Sequence, residues 1–268
     1  MIDIEAAARL LDDAALHARA INQLTATEDF PVPDAYRIQR ASIERRVQRG
    51  ERRVGIKLGF TSRAKMVQMG VDSLIWGWLT DTMLEDDGGR VDLRRFIHPR
   101  VEPEVCFLTR RAIERPLTAL EAKDYLEAVA PAMEIIDSRY QDFRFTLADV
   151  VADNCSSAGL VVGNWARDFD GLRNAGVILR VDGRDVQIGS TGAILGHPLR
   201  AVVEASRLAS ASETVLPAGT LIMAGAATAA HPLLPGSHVQ AVVNGVGEVE
   251  FTTCLTVGQT VAQNLEEA

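Results

Sequence analysis

Two glutamates, Glu102 and Glu104, interrupt the strand-like apolar run "HPRVEPEVCF", and a third, Glu134, lies inside "APAMEIID". In a strand, residues two apart share a face, so Glu102 and Glu104 project together while Val101, Val105 and Phe107 face the other way. Two anions that close need a cation, a shared proton or open water. Glu134, between Ala132, Met133, Ile135 and Ile136, is costly to bury unless it is paired or coordinating. Three carboxylates with no His or Cys beside them suit a hard divalent ion such as Mg²⁺ or Mn²⁺. A wet strand face beside Arg100 for the first pair, and a salt bridge to a buried arginine for Glu134, would satisfy the same residues without a metal. Pro103 donates no ladder hydrogen bond, which places the pair on an edge or bulged strand.

Lys57 intrudes in the same way between Ile56 and Leu58 in "GIKLGF". On an edge strand such a lysine more often guards against pairing, or snorkels, than catalyses. "ADNCSS" offers Asp153, Asn154, Ser156 and Ser157 as hydrogen bonders at a turn or helix end. In "MAGAATAAHPL", Gly225 and Thr228 can bring a backbone N–H and a hydroxyl to a ligand carboxylate, although Gly-Ala runs also serve tight packing. His98, His197 and His231 each precede a proline and are assigned no role. Cys106, Cys155 and Cys254 are odd in number and lack metal-site spacing, so they read as buried reduced thiols of a cytoplasmic protein.

The elements that must position these residues fall into two textures. Ile4, Ala7, Leu11, Ala14, Ala18, Ile21 and Leu24 recur at three- and four-residue steps, which predicts an amphipathic helix ending before "FPVP". Asp34 can cap a second helix carrying Tyr36, Ile43 and Val47 on one side. Residues 1–52 therefore read as a helical region, and residues 53–268 as a β-rich catalytic body. In that body short β-rich runs alternate with Gly, Asp and Asn turns, and "VDGR" signals a type I′ hairpin. Two helices are expected among the strands, one from the capping box Thr118 to Glu121 through "EAKDYLEAVA" and one in "HPLRAVVEASRLA". The fold class is α+β.

The 268 residues carry a net charge of -8 and no basic stripe interleaved with aromatics, which leaves no footprint for nucleic acid. "MIDIEAAARLLDD" lacks the basic and apolar regions of a signal peptide, and no apolar run approaches the ~18 residues of a membrane span, so neither export nor anchoring is expected.

In combination, "GIKLGFTSRAKMVQMGVDSLIWGWLTD", "HPRVEPEVCF", "AMEIIDSRYQDFRFTLADVVADNCSS" and "GSTGAILGHPLRAVVEASR" resemble the 4-oxalocrotonate decarboxylases. These stand with the 2-hydroxypenta-2,4-dienoate hydratases in the fumarylacetoacetate hydrolase superfamily. The resemblance runs from the first helix to "VEF". It implies a mixed β-roll holding Mg²⁺, with Mn²⁺ as a substitute, through Glu102, Glu104 and Glu134. It places Lys57 near the reacting carbons, "GAATAA" with Gly225 and Thr228 at the 2-oxo acid end of the substrate, and Asn154 and Ser157 in a polar active-site segment. Relatives that hydrolyse C–C bonds carry an Asp as third ligand and a Glu-His pair; here the third ligand is Glu134 and no such His is evident. The implied reaction is decarboxylation of 2-oxohex-3-enedioate to 2-hydroxypenta-2,4-dienoate in meta-cleavage degradation of aromatic compounds. Hydration of that dienoate, or a non-catalytic metal-binding role beside a hydratase, are the competing readings. The resemblance also implies association with the hydratase and with further copies of this chain.

Overall fold

The computed structural model describes residues 2–62, 66–67 and 74–255. Residues 63–65 and 68–73, within the motif that begins "GIKLGF", lie outside the described residues, as does the chain beyond 255 that the expected catalytic body includes.

Two helices open the chain, α1 (Ile4–Leu16) and α2 (Val32–Gln48). The first is capped by Asp3, whose carboxylate accepts from the Ala6 N–H. It ends eight residues before Leu24, because Ala18 turns left-handed (φ 47°) and Ile21 pairs as an isolated bridge with Tyr140. The second begins at Val32 behind Pro31, not at Asp34, which sits in the first turn and accepts from Arg37. Its buried stripe is Ala35, Ile38, Gln39, Ser42 and Ile43, rotated from the expected Tyr36, Ile43 and Val47 face. Asp12 of α1 is clasped by Arg49, at 2.6 Å to each carboxylate oxygen, and by Arg45 at 2.9 Å.

The strands are β1 (Arg53–Gly59), β2 (Ile75–Thr80), β3 (Leu84–Glu85), β4 (Gly89–Asp92), β5 (Arg100–Thr109), β6 (Leu126–Ile136) and β7 (Ser157–Val162). They continue with β8 (Gly176–Val181), β9 (Arg184–Ser190), β10 (Leu221–Met223), β11 (His231–Pro232), β12 (His238–Val243) and β13 (Gly247–Cys254). One sheet runs β2-β1-β10-β5-β6-β7-β3 with β11 also on β5, and a second runs β4-β13-β12-β8-β9. Parallel pairs (β1 with β10, β3 with β7, β4 with β13) stand beside antiparallel ones, so this is the mixed α+β roll implied by the motifs. The β8–β9 turn has Asp182 at φ 51° and Gly183 at φ 75°, as the Asp-Gly signal requires.

Helix α3 (Leu147–Ala152) starts from a complete capping box between Thr146 and Asp149, and α4 (Leu199–Ala211) is the helix expected after "HPLR". The other expected helix is absent. Thr118 and Glu121 do exchange capping-box hydrogen bonds, but only a single turn at Ala122–Tyr125 follows before β6. Ten register pairs with β5 hold "LEAVAPAMEII" extended, and that long-range pairing overrides the local cap.

The two faces of the β5–β6 pair divide the molecule. Val101, Met133, Ile135 and Val161 pack against Val239, Ala241, Val249 and Phe251 of the second sheet, while Val105, Phe107 and Val129 meet Val202 and Ala205 of α4. The opposite face carries Cys106, Ala132 and Met223, and on it lie the three glutamates. Helices α1 and α2 share a core with α3, Ile75, Tyr140 and Cys155.

Candidate active site

Strand register assembles the acidic cluster. Glu102 is the direct cross-strand partner of Glu134, and Glu104, two residues on, projects on the same side. An oxygen from each of the three carboxylates lies within 4.8 Å of the others, and all three residues are buried, at 7%, 1% and 0% exposure. Burial rules out the wet face for Glu102 and Glu104, and among the described residues no arginine pairs with Glu134. Its described cation partner is Lys57, whose Nζ stands 3.0 Å from Glu134 Oε2.

Lys57 is not on an edge strand, since β1 is flanked by β2 and β10. Register places Lys57 beside Met223 and Met223 beside Cys106, so the lysine reaches the glutamates along one cross-strand row. Pro103 likewise sits within the sheet. Its carbonyl accepts from Ala227 N at 2.9 Å, so its missing N–H faces the irregular segment between β10 and β11, where no ladder bond is lost.

Gly225 lies in that segment and donates its N–H to Glu104 Oε2 at 2.8 Å. Only glycine fits: φ is +104°, and a Cβ would stand 2.1 Å from Thr61 Oγ1. Thr228 runs beside β5 between the Ala227 and His231 rungs. Its hydroxyl donates to the Ala229 carbonyl, and its methyl lies where a Cβ on Gly189 would be 2.8 Å away.

The polar segment forms a hook. Asn154, Cys155 and Ser156 are all left-handed, with φ of 49°, 54° and 60°. Such a run costs about 1–2 kcal/mol per residue and persists only where surroundings over-determine it. The Asn154 amide pairs with both backbone groups of Trp78, accepting from N at 2.7 Å and donating to O at 2.9 Å, and thereby seals the outer edge of β2. Asp153 is bound to the guanidinium of Arg139. The hook delivers the Cys155 carbonyl to Lys57 Nζ at 3.0 Å. Ser157, just beyond, is buried, with its hydroxyl 3.9 Å from Met83 Sδ. All three thiols are buried. The structure therefore gathers Lys57, Glu102, Glu104, Glu134 and Gly225 directly, with Ser157 next to the hook. Asn154 has its amide committed to the scaffold, and Thr228 stands on the flanking segment.

The electrostatics are lopsided. Burial pushes Glu104 well above the usual carboxylate range, and the charges of Glu134 and Glu102 add to that against the pull of Lys57. Burial likewise raises Glu134 to about 7, with Lys57 opposing and Glu102 reinforcing. For Lys57 burial disfavours the ammonium, but Glu134 and the other two glutamates outweigh it and its pKa is raised. Glu104 Oε1 and Glu134 Oε1 are buried and make no hydrogen bond among the described residues. The orphaned oxygens of Glu104 and Glu134, converging with a carboxylate oxygen of Glu102, fit a hard divalent cation, which would take them as ligands.

Sequence reasoning overlooked Gln39 and the Cys155 backbone. Gln39 did leave a signal, an uncharged polar residue in phase with Ala35, Ser42 and Ile43 on a helix face that is otherwise apolar or small. A backbone carbonyl leaves none.

Residues 54–253 match the fumarylacetoacetate (FAA) hydrolase C-terminal family model, and the chain belongs to that family. Within it, the chain is 52% identical over 246 residues to a 4-oxalocrotonate decarboxylase from Pseudomonas sp., covering 92% of this chain and 96% of the relative. It is 38% identical over 253 residues to a 2-keto-4-pentenoate hydratase from Paraburkholderia xenovorans (strain LB400), covering 91% and 93%. Among solved structures, a 4-oxalocrotonate decarboxylase from Pseudomonas putida G7, complexed with magnesium and adipate, is similar with a TM-score of 0.90 at 36% identity, over 93% of this chain and 97% of that one.

Proposed function

We propose that this protein is a Mg²⁺-dependent decarboxylase of 2-oxohex-3-enedioate (4-oxalocrotonate), releasing CO₂ and 2-hydroxypenta-2,4-dienoate in meta-cleavage catabolism of aromatic compounds. The carrying observation is the buried cluster of Glu102, Glu104 and Glu134, with orphaned oxygens on Glu104 and Glu134 and with Lys57 against Glu134. The 52% identical decarboxylase and the magnesium and adipate of the solved one supply the substrate class: adipate is a six-carbon dicarboxylate like the proposed substrate.

Glu102, Glu104 and Glu134 would hold the metal, which when bound supplies Lewis acidity to the carboxylate and carbonyl of a 2-oxo acid. In the reaction the bond from C5 to the distal carboxylate breaks, its electron pair forms C4=C5, the alkene pair moves to C2=C3, and the carbonyl oxygen takes the charge and one proton. Lys57, kept charged by the glutamates and fixed by the Cys155 carbonyl, places positive charge where that oxyanion develops and has a proton to give. The Gly225 N–H fixes Glu104, and Gly225 and Thr228 line the segment that would seat the 2-oxo acid end. Ser157, whose hydroxyl acts on Glu134, would supply a buried hydroxyl for proton movement, with Asn154 fixing the hook. Residues 1–52 would serve as a helical buttress to the 53–268 catalytic body.

The product is the kind of compound the hydratase relatives are named for, and a dienol ketonises in water. Direct transfer inside a complex with such a hydratase, and assembly with further copies of this chain, belong to this reading, as does a cytoplasmic location. No helix among the described residues is long and apolar enough to cross a membrane.

The test is to supply 2-oxohex-3-enedioate or 2-hydroxypenta-2,4-dienoate to the purified protein with Mg²⁺. CO₂ release from the first, abolished by chelation and restored by Mg²⁺ or Mn²⁺, is expected. Consumption of the second without CO₂ from the first would establish the hydratase reading.

A further inference from the structure

The reading of Lys57 as the catalytic cation leaves open what aims it. Its ammonium has two described anchors, Glu134 Oε2 and the Cys155 carbonyl, each at 3.0 Å. The first is itself a candidate metal ligand. The second is a main-chain group on the left-handed hook, and it stays in place only if the hook does.

Besides the Asn154–Trp78 and Asp153–Arg139 contacts, one side chain from outside the catalytic strands braces the hook at both its entry and its Cys155. Gln39 of α2 is 1% exposed. Its Nε2 donates to the Trp76 carbonyl at 3.0 Å and to the Val151 carbonyl at 2.9 Å, and lies 3.9 Å from Cys155 Sγ. Trp76 belongs to β2, the neighbour of the lysine strand, and its carbonyl also accepts from the Cys155 thiol at 3.1 Å. Val151 lies in the last turn of α3, where a helix leaves carbonyls without intrahelical donors, immediately before the chain enters the hook. One amide thus joins the strand beside Lys57 to the helix that feeds Cys155. A carboxylate there would present acceptors to two carbonyls, and an apolar side chain would leave both without this donor.

We infer that Gln39 is a positioning residue for the decarboxylation, acting through the 153–156 hook to hold the Cys155 carbonyl on Lys57 and so direct the remaining ammonium N–H toward the substrate. Gln39 touches no reacting atom. Its effect passes through the orientation of Lys57, and the inference rests on Lys57 being the catalytic cation.

The test is a kinetic double-mutant cycle on the full chain with Mg²⁺ and 2-oxohex-3-enedioate, using Gln39→Met, Lys57→Met and the double variant. Gln39→Met should lower kcat about tenfold to hundredfold, the scale of a misaligned catalytic group. KM and calorimetric Mg²⁺ affinity should stay within about threefold, because the glutamates are untouched. In the Lys57→Met background the same substitution should change kcat less than about twofold, since there is no ammonium left to aim. Wild-type kcat in Gln39→Met overturns the inference, and so does an equal fold loss in both backgrounds, which would mean a general structural role. A Lys57→Met enzyme at wild-type rate removes the lysine reading and this inference with it. An impaired Lys57→Met beside a fully active Gln39→Met removes this inference alone. Should Gln39→Met not fold, Gln39→Glu keeps the volume and removes the paired donors at neutral pH, with the same outcomes expected.

Discussion

Asp12 and Glu104 are both buried carboxylates, 2% and 1% exposed, and their surroundings drive them in opposite directions. At Asp12 burial raises the pKa, but hydrogen bonds from Arg49 and then Arg45 more than offset it, and the group is held below the usual range. At Glu104 burial and two neighbouring glutamates act together, one lysine opposes them, and the group is pushed up. One carboxylate with two guanidiniums is a finished clasp between α1 and α2. Three buried carboxylates, with Lys57 the cation that the described residues set against Glu134 and with oxygens of Glu104 and Glu134 left over, favour a further bound cation. An unbalanced buried charge is therefore the mark of function in this chain, and a balanced one the mark of structure.

The largest effect is expected from removing the ammonium of Lys57. Lys57→Met should keep the fold and Mg²⁺ binding yet lose about a hundredfold or more in kcat, the scale of removing one preorganised electrostatic group. Steady-state rates with calorimetric Mg²⁺ affinity check it, and a rate within about threefold of wild type would make Lys57 a packing residue.

Removing a charge should have opposite effects on stability in the two places. Glu104→Gln should weaken Mg²⁺ about tenfold or more, because ligand charge sets affinity. It should also stabilise the metal-free protein by about 1–3 kcal/mol, since an amide can still accept from Gly225 and carries no buried charge. Urea unfolding in chelator measures this. A destabilised metal-free Glu104→Gln would show that the cluster is already balanced.

The pH dependence should differ as well. Glu134, raised to about 7 from its ordinary 4.5, holds a proton at mildly acidic pH that a metal must displace. Mg²⁺ affinity should rise with pH until about 7, by up to about tenfold per unit for each proton released. The same shift means that the metal-free fold loses stability as pH climbs from about 4.5 toward 7. At Asp12 the sign reverses: its contribution is present above 3.8 and is lost as pH falls through the lowered folded value. Smallest in effect, Asp12→Asn should cost about 1–2 kcal/mol of stability, moderated because the arginines remain partly solvated, and should leave kcat and Mg²⁺ affinity unchanged.

The sequence made the glutamates legible because strand periodicity is local: Glu102 and Glu104 had to share a face, and Glu134 had to be costly among its neighbours. Their meeting depended on the β5–β6 register, which no short stretch encodes. The capping box at Thr118 misled for the related reason that a local hydrogen-bond pattern was outweighed by ten cross-strand pairs formed with residues far back in the chain. Lys57 looked like an edge guard because nothing near it in sequence shows that β10 arrives from residues 221–223 to cover that edge. Asn154 was legible as polar and special, but not its pairing with the Trp78 backbone across 76 residues of chain.

Glu102, Glu104 and Glu134 together should hold one divalent cation. Calorimetric titration of Mg²⁺ into metal-stripped wild type and Glu134→Gln tests it most directly. One Mg²⁺ site per chain in the wild type, weakened about tenfold or more in the variant, is the predicted result. Wild-type affinity in Glu134→Gln, or no binding to the wild type at all, would contradict it.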